Sequence, residues 1–293
     1  MIARNYSGVS GYAGLDVLLG LDLDAGLDFY RVRNDRIEEL LSAEYRGMSA
    51  RQQEYWRNMN QGVSTPFEFG YYGGFEVIIS SFELLMFAVL AICIMIAPVF
   101  AGEYQAGTDS VLLSAKYGKT KLITAKIVSA FLFGVCAFLL YAGVAIGIPL
   151  MTFGLDGWNL PIQIANPLIP FDFTFLQAAL VNIVVVFMVL LALIGLTLFL
   201  SARMKNPFFV LVVIVPVLFI PMIMSPTGTS GLYNLLLFLT PYRSAMPQFG
   251  SYISYQFGGL VLNVLAMRAV VYGMLALIML PLARWTFRKH QVM

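Results

Sequence analysis

Three groups of residues in this chain have the types from which chemistry is built, and their spacing decides against most of it. Gly118-Lys119-Thr120 has the ending of a phosphate-binding P-loop, but that motif needs a glycine at position 113, which is Leu113, and a buried strand before it. Nucleotide binding by this chain is therefore not expected. Cys93 and Cys136 both fall inside apolar runs, where they act as small hydrophobes and not as a disulfide framework. His290 is the single histidine, which leaves no His-rich metal site and no basis for a His-dependent catalytic centre. No nucleophile, base and orienting group come together, so no catalytic residue, metal or cofactor is expected. Glu83 and Arg268 form the third group, each roughly 10 Å into a long apolar run at 1.5 Å per residue. Ionisable groups at such depth pair, face water or snorkel to the interface. Snorkelling, a Glu83–Arg268 pair and a polar patch on the substrate path are the readings the sequence allows.

The elements that must carry these residues are set by composition. The chain has 293 residues, 59% hydrophobic and 12% charged, with a mean hydropathy of +0.80. A soluble globule carries about 25% charged residues, so this is an integral membrane protein. A net charge of +2 suggests no nucleic-acid partner. The aromatic residues suit lipid-facing and interfacial surface better than a ligand cage.

The expected fold is all-α and polytopic, with transmembrane helices at about 77–101, 121–150, 173–202, 207–225 and 260–285. Each apolar run is long enough for the ~30 Å hydrocarbon layer. Pro216 and Pro221 should kink the fourth. Gly143 and Gly147 form a small-xxx-small pair, a candidate helix-packing face. Between 156 and 172 a Pro-rich loop carries Trp158 at interfacial depth. From Pro226 to Gly259 the chain is too punctuated to span simply, and Leu232–Leu239 is expected as a short helix lying at, or dipping into, the outer interface.

Residues 1–76 differ from the rest, holding 11 acidic residues, 7 arginines and no lysine. Asn34–Tyr45 spaces Ile37, Leu40, Leu41 and Tyr45 as an amphipathic helix that Gly47 would stop. Ser49 and Gln52 match a capping box opening a second helix, with Tyr55, Trp56 and Met59 as its less polar residues. Gly8–Asp28 is interrupted by Asp16, Asp22 and Asp24, so it is neither a span nor a signal peptide.

Four of the six lysines lie in Gly102–Lys126, between the first two apolar runs. Thr108 is expected to cap a helix of roughly ten residues, about 15 Å long. Asp109 suits its positive start and Lys116 its negative end, and Gly118 is expected in the left-handed conformation that ends it. Thr120 would then open the next helix.

Glu103, Gly107-Thr108, Leu112-Leu113-Ser114, Lys119 and Lys126 together resemble the signature of ABC-2 type transporter permeases, particularly those of Gram-positive bacteria. Members often have a Pro and an Arg after Leu-Leu-Ser, where this chain has Ala115 and, further on, Lys119. The resemblance implies a cytoplasmic coupling helix at 103–118 that touches a separate ABC ATPase subunit. Leu112 and Leu113 would be the apolar anchor, Glu103 and Lys119 polar brackets, Gly107 part of the signature and Thr108 the cap. It also implies a second permease copy or a homologous permease beside this one, and export of a drug, peptide or lipidic substrate. A secondary transporter without an ATPase, and a membrane-anchored sensor or enzyme, are the alternatives.

Placing 102–126 inside a bacterial cytoplasmic membrane puts all six lysines and the C-terminus inside, as the positive-inside rule requires. Residues 1–76 then lie outside, with no evident means of crossing. Family members usually have six spans where five are visible here, so a first transmembrane helix is expected to be missing from the chain as given.

Overall fold

The structure, a computed structural model, describes residues 28–115 and 117–289, with the backbone alone for Asp109, Leu112, Leu113, Lys119, Thr120 and Lys289. The readings of residues 8–27, Lys116 and His290 lie outside the described residues, as do those of the six side chains just named.

The polar head begins with α1 (Phe29–Ser42), a 3-10 turn at Glu44–Arg46 and α2 (Ala50–Gln61). The apolar spacing read in α1 buries Ile37 and Leu41. Tyr45, expected on the same face, lies beyond the helix end and is 72% exposed. Gly47 does stop this segment, at φ +56. Ser49 and Gln52 form the full capping box, each side chain bonded to the other's backbone N–H. α1 and α2 are fastened to later parts of the chain. The Arg33 guanidinium donates to the Pro167 carbonyl at 2.7 Å, and the indole N–H of Trp56 donates to Ser254 at 3.2 Å. The Tyr252 hydroxyl donates to the Leu168 carbonyl at 2.5 Å, and burial holds this phenol above its ordinary pKa, so it remains a donor.

Four helical stretches are long and apolar enough to cross a membrane: Gly73–Ala106, Ile123–Phe153, Phe175–Arg203 and Val264–Arg288. The first is composite, with α3 (Gly73–Ser81), a 3-10 turn at Phe82–Leu84, α4 (Leu85–Ile96) and α5 (Pro98–Ala106). Then come the short α6 (Asp109–Ser114), a π-helical turn at Gly118–Leu122, and α7 (Ile123–Phe153). α8 (Phe175–Arg203) opens on a Thr174–Gln177 capping box and is the central span, packing against α4, α5 and α7. α7 is peripheral, with only 17% of its most apolar stretch buried. The expected fourth span, 207–225, is the shorter apolar helix α9 (Pro207–Ile223), of 17 residues. At 1.5 Å per residue it is about 26 Å long, a little under the hydrocarbon thickness.

After α9 the chain turns through α10 (Leu232–Leu237) and α11 (Pro241–Ala245). It then makes an antiparallel hairpin of β1 (Ser254–Phe257) and β2 (Leu260–Asn263), and enters α12 (Val264–Lys289). The last span therefore starts at Val264, not Leu260, because Leu260–Asn263 pairs in register with Ser254–Phe257. Gly258 takes φ +59 in the tight turn. The head, the loop before α8 and the segment before α12 share one end of the bundle. Residues 107–115 and 117–122 and the turn before α9 occupy the other.

The α10–α11 segment exposes helix-end carbonyls that have no partner within their own short helices. Side chains from two spans collect them. Arg268, fully buried on α12, donates from Nε and Nη2 to Phe238 at 3.1 and 3.0 Å, from Nη2 to Arg243 at 2.7 Å and from Nη1 to Met246 at 3.3 Å, all to carbonyls. The Tyr272 hydroxyl donates to Leu239 at 2.5 Å, and Asn182 of α8 donates to Ala245 at 2.9 Å. The carbonyl ends of two helices thus surround the guanidinium, where partial negative charge favours a cation.

The pair considered between Glu83 and Arg268 is not formed. Glu83 instead accepts from the Tyr242 hydroxyl at 3.3 Å. Both charges reach α11, Glu83 through a side chain and Arg268 through the backbone. With Arg268 fully buried, snorkelling is excluded for it as well.

Gly143 and Gly147 are not a packing face within this chain: a methyl added at either would meet nothing within 4 Å. The close approach on α7 is at Gly134, where an added Cβ would lie 2.4 Å from Ile194 Cδ1 and 3.3 Å from Ile92 Cγ2. Gly134→Leu is expected to destabilise the protein by about 1–3 kcal/mol through overpacking, while Gly143→Leu leaves stability nearly unchanged. Thermal melts of the two variants in one detergent check this; equal losses would contradict the packing described.

Candidate functional site

α5 is where the sequence motif meets the spans. Its start is a break in the first span. Pro98 has no N–H and its ring disfavours a continuous helix, so α4 ends at Ile96 and Pro98 takes the first position of α5, where it is well suited. The break leaves backbone groups to be satisfied in an apolar interior, and Ser201 of α8 supplies them. Its fully buried hydroxyl accepts from the N–H of Phe100 at 3.0 Å and of Ala101 at 2.9 Å, and donates to the Ala97 carbonyl at 2.7 Å. A side-chain hydroxyl inserted into the ladder is a recognised cause of a kink.

α5 is then tied to three spans. Lys126 of α7 forms an ion pair with Glu103 and donates to the Val99 carbonyl at 3.0 Å. The Tyr104 hydroxyl donates to the Ala202 carbonyl of α8 at 3.0 Å. Phe287 of α12 packs on Phe100 and Tyr104, with ring centroids 4.3 and 5.7 Å apart.

The end of α5 is equally defined. Gly107, at φ +67, donates to the Tyr104 carbonyl at 3.2 Å, and the N–H of Thr108 donates to the Glu103 carbonyl at 3.0 Å. These two bonds are a Schellman motif, which requires a left-handed residue at Gly107. No neighbour crowds Gly107, so its conformation alone explains glycine there.

Three expectations are corrected here. Thr108 precedes α6, but its side chain makes no cap; its hydroxyl donates back to the Glu103 carbonyl at 3.4 Å. α6 is six residues long, not roughly ten, because Ala115 turns extended, at φ −64 and ψ 146. Gly118 opens the π-helical turn, and the left-handed glycine of the segment is Gly107.

Of the residues named from sequence, Glu103, Gly107 and Thr108 are brought together at the α5 terminus. Glu103 is used within the chain: its side chain is 15% exposed and faces Lys126. Sequence reasoning missed Ser201, Tyr104 and the role of Pro98. Pro98 was a visible signal inside an apolar run; Ser201 and Tyr104 carried none, since their partners lie about 100 positions away. No family model, curated protein or solved structure matches this chain.

Ser201→Ala removes the common partner of three buried backbone groups. At about 1–3 kcal/mol per group left unpaired, a loss of about 2 kcal/mol or more is expected. Chemical or thermal unfolding in detergent measures it, and an unchanged midpoint would show that the break does not depend on this hydroxyl.

Proposed function

We propose that this chain is the permease subunit of an ATP-driven ABC-2 type transporter, exporting a drug, peptide or lipidic substrate across the cytoplasmic membrane. ATP is hydrolysed on a separate ATPase chain, which grips the Gly107–Gly118 segment from the cytoplasm, and a second permease completes the pathway. The resemblance over Glu103–Lys126 is the ground for the family.

The observation that carries the mechanism is the attachment of α5. A short helix at the end of the bundle is joined, through the Schellman turn at Gly107, to a nine-residue helix bonded to α7, α8 and α12. A push on α6 is therefore delivered to three spans at once, and the break at Pro98 lets α5 pivot against α4. In this reading Glu103 and Lys126 hold the lever to α7, while Leu112 and Leu113 meet the ATPase and Lys119 flanks the contact.

The test is co-expression with a P-loop ABC ATPase, sought first in the reading frames beside this one. The two chains should co-purify, and Leu113→Asp should abolish coupling of ATP hydrolysis to transport while leaving membrane insertion intact. Full transport by that variant, or no association with the ATPase, would refute the assignment.

A further inference from the structure

Between α4–α5 and α7 lies an open cleft of about 400 Å³. Its walls are apolar, from Met95 and Val99 on one side to Phe133 on the other, and Lys126 and Ser129 supply its polar groups. Met95 is 62% and Phe133 44% exposed, so the cleft opens sideways and not into the bundle. In a bilayer that mouth faces lipid.

Lys126, ion-paired with Glu103, is the charged group that lines this cleft. Its ammonium has three N–H groups. One goes to Glu103 and one to the Val99 carbonyl, which leaves a third donor on a residue lining the cleft. Ser129 stands three positions further along α7, on the same face and one turn nearer the bilayer centre. A cation at the interface, a hydroxyl one turn deeper and then a hydrocarbon wall reproduce the order of groups in a glycerophospholipid: phosphate, ester oxygens, acyl chain. Basic pockets between membrane helices are suited to anionic lipid head groups.

We infer that this cleft is a phospholipid site, with the phosphodiester on Lys126, the glycerol esters beside Ser129 and an acyl chain along Met95, Val99 and Phe133. The lipid comes from the leaflet bordering the Gly107–Gly118 end, whichever face of the cell that is. The site does not require an ATPase partner, so it stands or falls apart from the proposed function.

The test uses the full chain, delipidated in mild detergent and titrated with phosphatidylglycerol or with oleic acid, with bound lipid counted by native mass spectrometry. One phosphatidylglycerol per chain is expected to bind in preference to oleate. Ser129→Trp, which fills the cleft while keeping both members of the Lys126–Glu103 pair, should abolish that binding. Lys126→Met should weaken it by about fivefold, the factor expected for one interfacial lysine. Retention of the lipid by Ser129→Trp would overturn the site. Oleate binding as well as phosphatidylglycerol would overturn the phosphate assignment.

Discussion

A membrane helix that is interrupted must find partners for the backbone groups it frees, because the bilayer interior offers none. The structure meets this constraint at two ends of the same bundle. At one, the Ser201 hydroxyl joins the two sides of the break at Pro98. At the other, Arg268, Tyr272 and Asn182 gather the carbonyls of the α10–α11 segment. Each set of donors comes from α8 or α12, so these two spans act as the frame to which the irregular pieces are fastened.

This arrangement assigns different mechanical characters to the parts. α8 and α12 pack along one another and carry the fastening side chains. α5 is short, bonded at its start, middle and end, and separated from α4 by a helix break. α7 is peripheral and shows most of its surface to its surroundings. A lever held by a frame but jointed to its own helix is suited to relaying movement from a loop at one end of the bundle. The fully buried guanidinium of Arg268 belongs to the opposite end, where it fixes the segment that closes the bundle beneath the head.

Much of the architecture was legible because it rests on local rules. Apolar run length located the long helices, and the Ser49–Gln52 spacing gave the capping box seen in α2. The short helix expected within Leu232–Leu239 is α10. Other features follow rules that could have been applied. Pro98 marks a helix break. Phe257-Gly258-Gly259-Leu260, between alternating residues, marks a two-residue hairpin. What could not be read is long-range: that Ser201 would reach Ala97, that Arg268 would find carbonyls instead of Glu83, and that Gly134 rather than Gly143 would meet a neighbour. In those cases the residue type named a need, a partner or close packing, and only the fold decided who answered it. Thr108 shows the converse error: a good capping residue stands at the helix start, but its N–H and its hydroxyl both turn back to the Glu103 carbonyl at the end of α5.

The proposed function requires the Gly107–Gly118 segment to face the cytoplasm, within reach of a nucleotide-driven partner. The direct measurement is labelling of Ser110→Cys, with Cys93 and Cys136 replaced by Ala, using a membrane-impermeant maleimide. The account predicts labelling in inside-out vesicles and none in intact cells. Labelling in intact cells would place the segment outside and contradict it.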